Sequence, residues 1–290
     1  MSEKTSDILK KVRRIELKTR GISNALFSGE YHSAFKGRGM AFSEVREYQP
    51  GDDIRTIDWN VTARFSNPYV KIFEEERELT VMLLIDMSAS DSFGTDSQLK
   101  KELITELAAV LAVSAIQNND KVGVILFTDR VEKFIPPKKG KSHILRIIRE
   151  LLGFEPEHKK TDVGEAVKYF YNAIKKRSIG FIISDFLTGD FTDELKMANR
   201  RHDVIALQIY DRRELELPKM GFVQFADPET GEVSWVNTNR KKLRDGYAAN
   251  AAIHNKRIRE TFKKSGVDFA KIKTGESYVT PLLNLFKNRG

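Results

Sequence analysis

Val81-Met82-Leu83-Leu84-Ile85-Asp86-Met87-Ser88-Ala89-Ser90 sets an unbroken apolar run directly before an array of oxygen-bearing side chains. A run this short, without polar alternation, reads as a strand buried on both faces. Runs of the same kind recur at residues 122–127, 179–183, 204–209 and 267–272, and longer amphipathic stretches stand between them at 99–116, 143–152, 163–175, 192–198, 241–264 and 278–287. Strands alternating with helices predict an α/β fold, a mostly parallel sheet with helices on both faces. Residues 121–136 depart from the pattern. Two strand-like runs joined by Thr128-Asp129-Arg130 predict an antiparallel hairpin at the sheet edge. A second hairpin is expected within an insertion at about 211–237, where Pro218, Pro228 and Glu229-Thr230-Gly231-Glu232 interrupt the alternation. The chain thus divides into an N-terminal extension, 1–77, and a main domain, 78–290.

Composition bounds the rest. With 290 residues and 40% apolar content the chain can bury a full core. No stretch approaches the ~18 consecutive apolar residues of a membrane span, and the first twenty residues are charged throughout, so a cytoplasmic location is expected. The absence of cysteine removes thiolate sites and disulfides, leaving oxygen or imidazole for any metal. The formal charge of +8 comes from basic clusters at helix ends and polar helix faces, such as Lys175-Lys176-Arg177 and Lys256 to Lys264. No aromatic residues interleave with them as base-stacking platforms, which makes nucleic-acid binding the weakest of the functional readings.

The chemistry concentrates at strand ends. In open α/β sheets ligands gather there. Alternate residues of an extended segment point the same way, so Asp86, Ser88 and Ser90 can converge on one point. A carboxylate with two hydroxyls is hard oxygen chemistry, suited to Mg²⁺. Thr161 and Asp185 occupy equivalent places after two other strands. Ser88, Ser90, Thr161 and Asp185 each have a plainer reading as helix N-caps. Their joint occurrence at three strand ends favours a site.

An Asp-x-Ser-x-Ser array after the first core strand, a Thr in a second loop and an Asp in a third resemble the metal-ion-dependent adhesion site of von Willebrand factor A domains. Upstream, Gly37-Arg38-Gly39, Ser43-Glu44-Val45-Arg46-Glu47-Tyr48, Pro50-Gly51-Asp52-Asp53-Ile54-Arg55, Ile57-Asp58-Trp59-Asn60 and Ala63-Arg64 closely resemble the signature of the bacterial domain-of-unknown-function family fifty-eight. The resemblance implies a von Willebrand factor A-like domain acting with a MoxR-type AAA+ ATPase, and no established catalysis. It also implies that Ser88 and Ser90 ligate Mg²⁺ (or Mn²⁺) directly, Thr161 directly or through water, and Asp86 and Asp185 mainly through water. Two departures stand out. Many relatives carry a pair of membrane-spanning helices near the N-terminus that this sequence lacks, which suggests a soluble member. Asp91 follows the array where relatives often have an apolar residue, and it either fills the open coordination position or caps a helix.

The upstream signature also has a direct physical reading. Pro50-Gly51 suits the centre of a type II turn. Asp52 or Asp53 can cap a short helix with Ile54, Ile57 and Val61 on one side. Arg46, Arg55 and Arg64 have acidic neighbours that include Asp52 and Asp58, with Trp59 as an expected anchor. This set is either an ion-pair and aromatic lattice that fastens the region to the core or a partner-docking surface.

Other chemistry is unsupported. Gly140-Lys141-Ser142 lacks the first glycine of a phosphate-binding loop, since Ile135 stands there. The five histidines show no close ligand spacing, and no Gly-x-Ser-x-Gly elbow occurs. A Mg²⁺-dependent protein-binding module is therefore the leading expectation. A metal-dependent hydrolase or phosphoryl-transfer enzyme at the same site, with Asp86, Asp91 or Asp185 as base, comes second. A basic nucleic-acid-binding protein comes third.

Overall fold

Two strands, β1 (Ala41–Glu47) and β2 (Tyr69–Glu74), pair antiparallel in the smaller of two units into which the molecule divides. The computed structural model describes residues 41–65, 67–74, 78–88, 100–226 and 233–289, and the smaller unit ends at Leu79. Between its strands the expected type II turn is present. Gly51 has φ +112°, and the Asp52 N–H donates to the Gln49 carbonyl at 3.0 Å. Arg46 grips Asp52 with both guanidinium nitrogens, at 2.8 and 2.7 Å.

The single short helix expected here is instead two pieces. Asp53 caps a 3-10 turn (Ile54–Thr56), and Asp58 caps the one-turn helix α1 (Trp59–Thr62). Ile57 separates them because it is extended and bridges to Val70 of β2. Trp59 is 67% exposed, as is Ile54, so the indole does not serve as the expected anchor. Asp58 lies 3.4 Å from Lys71. Arg55 and Arg64 are exposed and form no ion pair among the described residues.

The described part of the larger unit begins at Thr80. Its elements are β3 (Thr80–Asp86), α2 (Lys100–Gln117), β4 (Lys121–Phe127), β5 (Val131–Lys138), α3 (Lys141–Gly153), α4 (Val163–Ala173), β6 (Ile179–Ser184), α5 (Thr192–Arg201), β7 (Asp203–Tyr210), α6 (Arg212–Leu215), β8 (Phe222–Ala226), β9 (Val233–Asn237), α7 (Lys241–Ser265), β10 (Asp268–Lys273) and α8 (Val279–Lys287). Six strands form one sheet in the order β10-β7-β6-β3-β4-β5, parallel throughout except for β5, the expected edge hairpin partner of β4. Pro136 and Pro137 are tolerated in β5 because an edge strand need not donate on both sides.

Helices cover both faces. Met82, Leu84, Ile182 and Ala206 pack with α4, α5 and α7 through Val167, Phe170, Leu195 and Phe262. The alternate strand residues turn the other way, where the Phe181 ring meets Phe286 of α8 at 6.5 Å. The strands are buried on both sides, which explains their continuous apolar runs.

This strand order creates a switch point. From β3 the sheet grows in one direction through β4 and in the other through β6, so the loops after β3 and β6 diverge and leave a crevice at their carboxyl ends. Asp86 closes β3 and Asp185 follows β6. Among the described residues no helix is long and apolar enough to cross a membrane.

The expected second hairpin is the separate ribbon β8–β9. Phe222, Val233 and Trp235 lie on one side of it, 71%, 53% and 69% exposed.

Candidate functional site

Asp86 is fully buried at the end of β3. Its Oδ1 accepts the Ser88 N–H at 3.0 Å, its Oδ2 accepts the Ser184 hydroxyl at 2.6 Å, and the Ser88 hydroxyl also bonds to it. All these donors are neutral. Burial, reinforced by the charge of Asp185, pushes the Asp86 pKa up to about 7.

Asp185 is also buried, and its surroundings differ. Its Oδ1 accepts the Leu187 N–H at 3.0 Å, and its Oδ2 accepts from the Lys100 ammonium at 3.0 Å. Lys100, at the first turn of α2, has a side chain only 1% exposed and also pairs with Glu214 of α6. Burial alone would lower the Lys100 pKa, but the charges of Asp185 and Glu214 outweigh it and hold it above its ordinary value. Burial raises Glu214, and Lys100 offsets part of that rise. Glu214 is held in place because Asp211 caps α6 and also accepts the Thr274 hydroxyl at 2.6 Å. Two carboxylates, Asp185 and Glu214, therefore share one ammonium, and Asp86 is not touched by it.

Thr161 stands one residue before the helix cap. Asp162 performs the capping of α4, accepting the Glu165 N–H, so the capping role considered for Thr161 falls to its neighbour. The Thr161 carbonyl accepts the Thr188 hydroxyl at 3.0 Å, tying its loop to the one that follows Asp185. Asp185 does not cap a helix either, since α5 starts at Thr192 with Phe191 at its N-cap position. Ser90 and Asp91 lie outside the described residues.

The backbone is strained beside Asp185. Phe186 has φ +61°, a left-handed conformation that costs a non-glycine residue about 1–3 kcal/mol. Its buried ring, stacked on Phe191 at 5.8 Å and edge-on to Phe262 at 5.0 Å, holds it there. The Phe186 N–H donates to the Ser184 hydroxyl at 2.9 Å, so one serine links the strained turn to Asp86.

Asp86, Ser88 and Asp185 lie together, and the loop of Thr161 is joined to the Asp185 loop through the Thr161 carbonyl. Among the described residues no three His, Asp or Glu side chains gather into a ligand cluster. The available donor set is two carboxylates with hydroxyls. Such a set fits a small hard cation that keeps part of its water shell. A buried carboxylate that meets only neutral donors fits it too.

The raised Asp86 pKa carries a pH signature. In the metal-free fold Asp86 holds a proton through a range where the unfolded chain has lost it, from about pH 4 to about pH 7. Its contribution to stability therefore falls as pH rises through that window and stays low above it. Denaturant titrations of the metal-free wild type and Asp86→Asn across this range should show the wild type losing ground steadily. A stability difference independent of pH would contradict the assignment.

The fold agrees with what the chain is similar to. Uncharacterized protein Rv1480 of Mycobacterium tuberculosis is 29% identical over 281 residues, covering 96% of this chain and 88% of the relative. Uncharacterized protein YeaD of Bacillus subtilis is 28% identical over 131 residues, 45% of this chain and 29% of that protein. Among solved structures, the conserved hypothetical protein BatB from Bacteroides thetaiotaomicron superposes with a TM-score of 0.51 at 17% identity, covering 73% of this chain and 98% of that one. An aerotolerance-related membrane protein from Bacteroides fragilis gives the same TM-score, 0.51, covering 72% of this chain and 99% of that chain. These two likenesses bear on the fold alone, the mostly parallel α/β sheet with helices on both faces expected from the strand pattern. The family described as Protein of unknown function DUF58 matches residues 44–257, and the chain belongs to that family.

Proposed function

We propose that the chain is a Mg²⁺-dependent protein-binding module whose metal sits at the switch point between β3 and β6 and whose partner is an AAA+ ATPase of the MoxR type. The observation that carries the metal part is the state of Asp86, buried beside a second carboxylate and supplied only with neutral donors. Ser88 and Thr161 would hold the ion with hydroxyl oxygens, with Asp86 and Asp185 behind them and Ser90 completing the array. Bound there, the ion would supply an electrophilic position that a carboxylate from a partner can complete.

Protein contact is supported by exposed apolar surface. Phe222, Val233 and Trp235 line one side of the β8–β9 ribbon, and Trp59 and Ile54 are exposed in the smaller unit. Exposed aromatic patches of this kind mark interaction surfaces, and tryptophan is prominent among residues that dominate interface energies. The ATPase itself is proposed from the family resemblance.

The test is capture of a purified MoxR-type ATPase by the immobilised chain. Binding is expected with Mg²⁺ and is expected to drop at least about tenfold with chelator or in Ser88→Ala. Circular dichroism should be unchanged in the variant, because the Ser88 side chain lies beyond the last strand residue of β3. Capture that survives both chelation and substitution would refute the metal bridge.

A further inference from the structure

A cavity of about 300 Å³ opens beside the metal-site loops, between β7, α6 and α7. It lies at the carboxyl end of the sheet, where this class of fold gathers ligands. Gln208 and Tyr210 come from β7, Tyr247 and His254 from α7, and Asp185 and Glu214 close the acidic side.

Two polar atoms in its lining have no partner among the described residues, Gln208 Oε1 and His254 Nε2. Gln208 is only 3% exposed. The network fixes the orientation of its amide. Lys271 can only donate, and it donates to Asn255 Oδ1, so that atom is an acceptor. The Gln208 amide nitrogen donates to the same oxygen at 3.4 Å, which leaves the Gln208 carbonyl oxygen as the unpartnered atom. His254 Nε2 likewise has no partner among the described residues, and in the neutral ring it can present a lone pair to an occupant. The Tyr247 hydroxyl is turned to the Arg213 carbonyl, at 3.1 Å. Gln208 Oε1 and His254 Nε2 are thus acceptors without a donor among the described residues. On its acidic side Asp185 and Glu214 share the single charge of Lys100. An unsatisfied buried acceptor costs about 1–3 kcal/mol, so an occupant of the neighbouring cavity that brings a donor to either atom would be favoured.

We propose that this cavity binds a small organic cation carrying N–H donors, an alkylguanidinium or alkylammonium group. Its hydrogens meet Gln208 Oε1 and His254 Nε2, its charge balances the excess of Asp185 and Glu214 over Lys100, and the Tyr210 and Tyr247 rings flank its alkyl part. The volume suits a ligand at the small end of the usual range, or one side chain. Asp185 borders both this cavity and the proposed Mg²⁺ position, so the test runs in chelator.

The experiment is calorimetric titration of the full chain with three probes: agmatine, N-acetyl-arginine amide and N-butylurea. The last keeps a planar head and an alkyl chain without the charge. Agmatine is expected to bind saturably at least about tenfold more tightly than N-butylurea. Equal binding of N-acetyl-arginine amide would identify the natural occupant as an arginine side chain of a partner protein, and its exclusion would identify a free cation; either result supports the site. Gln208→Leu and His254→Phe should each weaken agmatine by about tenfold, with thermal melts confirming that the variants fold. The proposal is overturned if neither cation binds at millimolar concentration. It is equally overturned if N-butylurea binds as well as agmatine, or if both folded variants bind agmatine like the wild type.

Discussion

Lys100→Met is expected to destabilise the fold by about 3–5 kcal/mol, enough to lower the melting temperature by about 10 °C. The ammonium is buried at the start of α2 and bonds to Asp185 and Glu214. Methionine fills a similar volume, so the loss comes from the two carboxylates left without a counter-charge rather than from a cavity. Glu214→Gln should cost less, because Lys100 then keeps Asp185. Thermal denaturation of both variants in chelator checks the order. A loss below about 1 kcal/mol for Lys100→Met would mean that the ammonium behaves as an exposed surface charge.

Asp86→Asn should act in the opposite sense. The amide can still accept the Ser88 N–H and bond to Ser184, and it removes a buried charge that the metal-free fold carries at a penalty. In chelator above about pH 7 the variant should be at least as stable as the wild type. Magnesium should reverse the ranking. At a hundredfold excess over its dissociation constant the ion adds about 2.7 kcal/mol to a chain that binds it only when folded, and Asp86→Asn should gain almost none of this. Melting curves of both proteins with and without Mg²⁺ make the comparison. An equal gain in both would place the ion elsewhere.

Most of the sheet was legible because its strands are buried on both faces, which produces short apolar runs that no surface helix would carry. The edge hairpin β4–β5 was legible from its three-residue polar connection. Asp86, Ser88 and Asp185 stand out because they close or follow those runs, whereas Thr161, expected at a strand end, follows α3 and a loop. Lys100 was missed because Lys100-Lys101 reads as the charged start of a helix. A signal was available: Lys100 shares a stripe with Leu103, Ile104, Leu107 and Leu111, all buried, and a cation on such a stripe needs a partner. Its partner Glu214 lies within the charged run Asp211 to Glu216, far along the chain, and nothing local distinguishes it. Ser184 ends a strand and looks like any other small residue until Asp86 is seen across from it. Trp59 was expected as the anchor of an ion-pair and aromatic lattice, with a partner-docking surface as the alternative. The helix that carries it is a single turn with no buried residue, and the ring remains outside.

Direct titration of Mn²⁺ into the metal-free chain, followed by electron paramagnetic resonance of the free ion and competed with Mg²⁺, tests the metal centre most directly. One Mn²⁺ should bind per wild-type chain and be displaced by Mg²⁺, while Asp86→Asn and Asp185→Asn, each shown to be folded, should lose that binding. Undiminished binding by both folded variants, or no binding by the wild type, would contradict a divalent cation at the switch point between β3 and β6.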